Sequence, residues 1–183
     1  MRNVLLGFAG LALLAACSKA PGNADSAAAS ASAAPAPAAA AAPAAAPVTG
    51  PPVSGSYTVD GKAAVLTQVT SHKDDPFDGQ PVTALVFTAK DQGGDAKAAE
   101  DALFGNFGDA IVVRIEPDGT VVGADVVHSA LKEQGSVSLS GVFTVKNYQA
   151  TGGQISGELT TGGPNDVFEQ KIDVDLTFHA KAP

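Results

Sequence analysis

The chain predicts an all-β fold, a mainly antiparallel β-sandwich or partly open barrel of about eight strands with one short helix. Three observations predict it. Twenty glycines are spread along the chain and recur in turn dipeptides between short β-branched runs. The last of these runs alternates strictly between apolar and polar residues, and only one short stretch reads as helix. These features fill residues 54–183, one domain's worth of chain, long enough to bury roughly two-thirds of its unfolded surface without a disulfide.

The elements follow in order. SYTV (56–59), Asp60-Gly61 and KAAVLTQVTSH (62–72) read as a hairpin, because Asp-Gly supplies the positive φ angles of a tight primed turn. VTALVFTAK (82–90) is apolar on both faces and reads as a buried central strand. Asp95 to Phe104 reads as the helix, with Asp95 as N-cap, Ala99 and Leu103 inward, and Gly105 taking the left-handed stop. AIVVRIE (110–116) and VVGADVVH (121–128) form a second hairpin around Pro117-Asp118-Gly119-Thr120. VSLSGVFTVKNY (137–148) and QISGELTT (154–161) form a third around Gly152-Gly153. In KIDVDLTFHA (171–180), Ile172, Val174, Leu176, Phe178 and Ala180 alternate with Lys171, Asp173, Asp175, Thr177 and His179, giving one buried and one wet face.

Ahead of this domain stands an address. Arg2 followed by an uncharged apolar run, Val4 to Ala16, has the layout of an export signal and is too short to span a bilayer comfortably. The four residues that end it, Leu14-Ala15-Ala16-Cys17, resemble the lipobox of bacterial lipoprotein precursors. The resemblance implies removal of the signal peptide 1–16, a diacylglyceryl group on the Cys17 thiol and acylation of the new amino terminus. Several acyl chains together hold a protein at a membrane, at about 0.8 kcal/mol per buried methylene. Ser18 after the cysteine implies, in Gram-negative lipoproteins, sorting to the outer membrane, with the protein facing the periplasm. Cys17 is the only cysteine of the chain, so its lipidation leaves no disulfide, zinc thiolate site or cysteine nucleophile. From residue 17 to residue 53 the composition is almost entirely Ala, Pro, Ser and Gly. Pro35, Pro37, Pro43 and Pro47 interrupt any alanine helix, which predicts a disordered, semi-extended tether.

Charge narrows the partners. The whole chain is formally −8, and loss of residues 1–16 takes away only Arg2, leaving ten Lys and Arg against nineteen Asp and Glu, a balance of −9. No cluster of basic residues is present, so nucleic acid is disfavoured as a partner. The membrane is reached through the lipid on Cys17 alone, and a protein partner fits the acidic balance.

Four constellations could carry chemistry. Asp74, Asp75 and Asp78 surround Pro76 and Phe77 in a segment that reads as a loop over 73–79. Three carboxylates there could collect a hard cation, but the ligand spacing of a calcium loop is missing and Asp, Pro and Gly suit a plain turn. If that loop acts, Phe77 ringed by acids suits a basic protein surface. Phe104 and Phe107, separated by Gly105-Asn106, read as aromatics packed inward over one end of the sandwich, or, if exposed, as a stacking platform. His72, His128 and His179 lack convergent ligands: His128 and Asp125 sit an odd step apart, while the pair His179 and Asp175 shares a face but is too small a set for a metal. The serines lack a nucleophile elbow, since Gly153-Gln154-Ile155-Ser156-Gly157 misplaces the serine, and Ser136, Ser138 and Ser140 alternate as solvent-facing residues do.

No metal, cofactor or catalytic residue is therefore expected, and the reading is a non-enzymatic domain. The layout of lipobox, Ala/Pro tether and small acidic β-domain is similar to envelope lipoproteins that inhibit lysozymes or protect a cell from antibacterial effectors. That similarity implies a binding domain, as an inhibitor or immunity protein. The other readings are a structural envelope lipoprotein without a discrete ligand, and a hydrolase whose residues meet only in three dimensions.

Overall fold

A computed structural model describes residues 50–131 and 135–183. The export signal, Cys17 and the tether up to residue 49 lie outside the described residues. Eleven strands and one helix follow in order: β1 (Val53–Val59), β2 (Lys62–Ala64), β3 (Gln68–Phe77), β4 (Gln80–Thr88), α1 (Ala98–Leu103), β5 (Ala110–Ile115), β6 (Val121–Val127), β7 (Ser136–Leu139), β8 (Thr144–Thr151), β9 (Gln154–Thr160), β10 (Asn165–Val167) and β11 (Gln170–Lys181). They make two antiparallel sheets. The first runs β2-β1-β11-β9-β8, with β10 paired to the start of β11, and the second runs β3-β4-β5-β6-β7.

The all-β expectation holds, with eleven strands in place of eight. Two expected strands each divide between the sheets, and β10 is additional. The run 62–72 was expected as one arm of a hairpin. Only β2 pairs with β1 across Asp60-Gly61, after which the chain crosses to the second sheet as β3. Leu66 enters the core at this corner, and the Thr67 amide donates to the Thr88 carbonyl at 3.0 Å, docking the crossing chain on β4. The run 137–148 likewise divides: β7 pairs with β6, whereas β8 pairs with β9 in the other sheet. Gly141 at φ +72° makes this second corner and Phe143 is buried just beyond it.

The two sheets meet at both ends of β6. At the turn end of the β5–β6 hairpin, Gly119 lies against the Tyr148 ring of β8, while at the other end the Tyr57 hydroxyl of β1 donates to the Val127 carbonyl at 3.2 Å. β8 and β1 lie toward opposite edges of the first sheet, so β6 spans from one edge toward the other.

The main core fills the space between the sheets, with Phe87 and Phe178 meeting edge to face at 5.4 Å across it. Gly157 leaves room for this arrangement, since a Cβ there would stand 3.2 Å from the Phe178 ring and 3.0 Å from Val145. A second cluster lies on the far side of the second sheet. There Ala84, Val86, Ala110 and Val112 are buried beneath Ala102 of α1, which is why β4 is apolar on both faces.

The helix differs in detail from its expectation. Asp95 is not the N-cap: its carboxylate accepts from the Lys97 amide and its carbonyl from the Ala98 amide, closing a turn ahead of a helix that begins at Ala98. The fully buried positions are Ala98 and Ala102, and Ala99 and Leu103 are half-buried beside them. Small side chains on that face let the short helix lie close to the sheet. Gly105 does end it, at φ +73°.

Candidate functional site

The acidic segment 73–79 is strand and turn, which corrects its reading as a loop. β3 continues to Phe77, with an irregular register between Asp74 and Phe77, and Asp78-Gly79 is a two-residue turn at φ +51° and +80°. Alternation therefore separates the carboxylates. Asp74 lies on the helix side of the second sheet, where it meets Arg114, and Asp75 is exposed, its amide donating to the Asp74 carboxylate at 2.8 Å. Among the described residues no group of three or more His, Cys, Asp or Glu is placed to hold a metal ion. Phe77 is exposed at the tip of this hairpin. Phe104, expected inward, is 75% exposed because it follows the last buried turn of α1, and Phe107 is half-buried against the cluster under the helix.

Arg114 of β5 organises the polar end of that sheet face. Its Nε donates to Asp74 Oδ2 at 3.0 Å and a terminal nitrogen to Asp125 Oδ2 at 2.5 Å, while Asp125 Oδ1 accepts the Ser138 hydroxyl. Burial opposes the guanidinium charge, but the hydrogen bonds and charges of Asp125 and Asp74 outweigh it and hold its pKa above the ordinary value. Beside it, the Thr70 hydroxyl donates to Gln92 Oε1 at 2.5 Å and so accepts from His72 Nε2 at 2.8 Å. The ion pairs and hydrogen bonds of this array tie β3, β5, β6 and β7 together across the sheet face.

His128 ties the sheets together at the other end. It is buried, its Nδ1 accepts from the Ala130 amide at 2.9 Å, and its ring meets Tyr57 edge to face at 4.9 Å. The Nε2 proton is enclosed with no hydrogen-bond partner among the described residues. Burial lowers the imidazole pKa below its ordinary 6.5, outweighing the upward pull of Asp109 and of the Lys62 backbone. Burial also holds the neighbouring Tyr57 hydroxyl protonated well above the usual phenol range. An unfolded histidine takes up its proton first as pH falls, so this residue's contribution is intact above about pH 6.5 and is lost as pH drops toward and through the folded-state value. The urea midpoint should therefore fall between about pH 7.5 and 5, and His128→Gln should flatten that fall; an equal slope in both proteins would refute this assignment. An open cleft of about 380 Å³ adjoins His128 and Asp109, but Asp109 is already engaged by the Ser129 amide at 2.6 Å.

The most informative site lies elsewhere, at the turn between β10 and β11. Phe168 and Glu169 occupy a two-residue turn with φ of +48° and +65°, the left-handed geometry of a primed hairpin. The same geometry is met by Asp60-Gly61, Asp78-Gly79 and Gly152-Gly153 in this chain, all with residues suited to it. A phenylalanine there is strained, at a cost on the order of 1 kcal/mol or more. It is also 66% exposed. Phe168 and three β7 residues, Ser136, Val137 and Ser138, line an open groove of about 400 Å³.

Sequence reasoning missed this site. Phe-Glu carries no turn signal, and Phe168 falls in the same alternating phase as Ile172, Val174 and Leu176, so the pattern points its ring toward the core and only the turn geometry turns it out. Among the described residues no helix is long and apolar enough to cross a membrane. Compared with protein-family models, with curated proteins and with solved structures, the chain matches none of them.

Proposed function

We propose that this is an exported lipoprotein, held at the outer membrane by lipid on Cys17, whose β-domain recognises another molecule in the periplasm through the groove beside Phe168. An inhibitor or immunity role is the form of recognition its layout suggests. Phe168 carries the recognition half of the reading. Folding alone favours Asn-Gly or Asp-Gly at such a turn, whereas this chain keeps a strained and exposed aromatic ring beside a groove. The anchoring half is supported by the sole thiol standing at the end of the apolar leader. None of the three histidines is hydrogen-bonded to a serine hydroxyl or a carboxylate among the described residues, which favours binding over hydrolysis.

Labelling of growing cells with palmitate should mark the chain, and Cys17→Ser should abolish the label and move the protein from the membrane to the soluble fraction. A Cys17→Ser protein that stays membrane-bound would end the anchoring reading. For the protective role, deletion should sensitise cells to lysozyme or to a toxin encoded beside it. Restoration by the native chain and not by Phe168→Asn would place the effect at the groove; unchanged survival on deletion would remove the role.

A further inference from the structure

We propose that the open edge of β7 takes up an extended, basic segment of another protein as an added strand of the second sheet, with Phe168 packing on one of its side chains. This rests on the recognition reading above and names its mode and its partner chemistry.

The outer edges of the two sheets differ in how well they are guarded. β2 and β10 are three residues long each, and β10 carries Asp166. β3 carries Lys73, Asp74, Asp75 and Pro76 with an irregular register, and Ser71 on it already donates to the Lys181 carbonyl of β11. β8 carries Lys146 and a register shift at Asn147, whose φ is +51°. Short length, charge, proline and bulges are the devices that keep stray strands off a sheet edge. β7 has none of the last three: Ser136-Val137-Ser138-Leu139 pairs with β6 in unbroken register, without a charge or a proline, and among the described residues no strand pairs with its other side. A row of free backbone donors and acceptors is complementary to one thing above all, another extended backbone.

Phe168 supplies what a bare edge lacks. Val137 and Leu139 point into the core, while Ser136 and Ser138 are exposed on the outer face. An added strand places alternate side chains toward the first sheet, and Phe168, which belongs to the β10–β11 hairpin of that sheet, stands beside the edge to receive one.

Charge selects the occupant. Residues 50–183 carry nine Lys and Arg against eighteen Asp and Glu. At the groove, Asp166 is paired with Lys171 at 3.0 Å, but Glu169, next to Phe168, has no ion-pair partner among the described residues. A basic segment is favoured there, and a second copy, which would bring two acidic surfaces together, is not.

The test pans the full-length chain against a displayed library of random dodecapeptides and follows hydrogen exchange of 136–139 with the strongest peptide bound. Enriched peptides should alternate Lys or Arg with apolar residues. Their binding should slow exchange at 136–139 by at least about tenfold and should vanish when alternate peptide amides are N-methylated. The double variant Phe168→Asn/Glu169→Gly should have a higher urea midpoint than the native chain and yet bind at least about tenfold more weakly, a combination that misfolding cannot imitate. Peptides that bind with protection elsewhere, or with no basic preference, overturn this proposal and leave the recognition reading standing. An empty selection overturns both. Protection of 136–139 that grows with protein concentration assigns the edge to a second copy, and protection already present in the dilute chain assigns it to the chain's own segment 20–49; either result overturns the proposal.

Discussion

Gly55→Ala should destabilise the domain by about 3 kcal/mol or more, enough to remove a large part of a typical domain's total stability. Gly55 lies in the middle of β1 opposite Leu176 of β11, at φ +123°. Two penalties coincide there. L-residues rarely adopt that backbone conformation, and a Cβ would overlap the Asp175 carbonyl oxygen while standing 3.0 Å from the Leu176 Cα. Neither obstacle is the tip of a flexible side chain that can swing away. Both are backbone of β11, which pairs with β1 on one side and β9 on the other, so relief must open the ladder that carries Tyr57, Val59, Val174 and Leu176 into the core. Gly141→Ala is the informative comparison, because Gly141 has φ +72° with open space around it. It should cost only about 1 kcal/mol, the price of the conformation alone. Urea midpoints of the two variants measure the difference directly. Equal losses would mean that the close approach of β1 to β11 contributes nothing.

The contrast between these two glycines also shows what a sequence can and cannot convey. Turn chemistry was legible: Asp60-Gly61, Pro117-Asp118-Gly119 and Gly152-Gly153 each close the hairpin that they signal. Strict alternation was legible too, and β11 buries Ile172, Val174, Leu176, Phe178 and Ala180 as its pattern requires. The corners were not. A strand that passes from one sheet to the other keeps its apolar side toward the same core, so Val137, Leu139, Phe143 and Val145 stay in one phase across the second corner and read as a single strand. At the first corner the phase does slip, from Ala64 and Leu66 to Val69, which is the one local trace of the crossing. Gly55 falls just ahead of the strand read at 56–59 and drew no notice, because its reason is a partner backbone far along the chain. Phe168 is harder still. A residue placed against its own conformational preference is invisible to rules built on those preferences, and the Phe168–β7 groove joins segments some thirty residues apart through a hairpin that carries no turn signature. The carboxylates that did attract notice, Asp74, Asp75 and Asp78, are scattered by strand alternation, and the ion pair that engages one of them comes from Arg114 on another hairpin.

Arg114→Met should cost about 2–3 kcal/mol, and most of the loss should return when Asp125 is neutralised as well. The Asp125 side chain is 10% exposed, and Arg114 holds one of its oxygens at 2.5 Å while Ser138 serves the other. Methionine preserves much of the apolar stem of arginine, so packing is nearly kept and charge is what disappears. What remains is a carboxylate enclosed between β5 and β7 with a hydroxyl as its only hydrogen-bond donor among the described side chains. Breaking a fully buried pair in this way costs about 3–5 kcal/mol, and the guanidinium here is one-third exposed, so solvent trims the effect. Asp125→Asn added to Arg114→Met removes the stranded charge and should recover more than half of the loss. The pair is then worth less than its breakage suggests, as expected where desolvation offsets attraction. Asp74 provides the control: its side chain is 29% exposed and it sits on the edge strand, so Asp74→Asn should cost less than about 1 kcal/mol. A double-mutant cycle on urea midpoints separates these terms. If Arg114→Met and the double variant are equally destabilised, the loss comes from packing around the arginine stem, and the pairing with Asp125 does not hold β5, β6 and β7 in register.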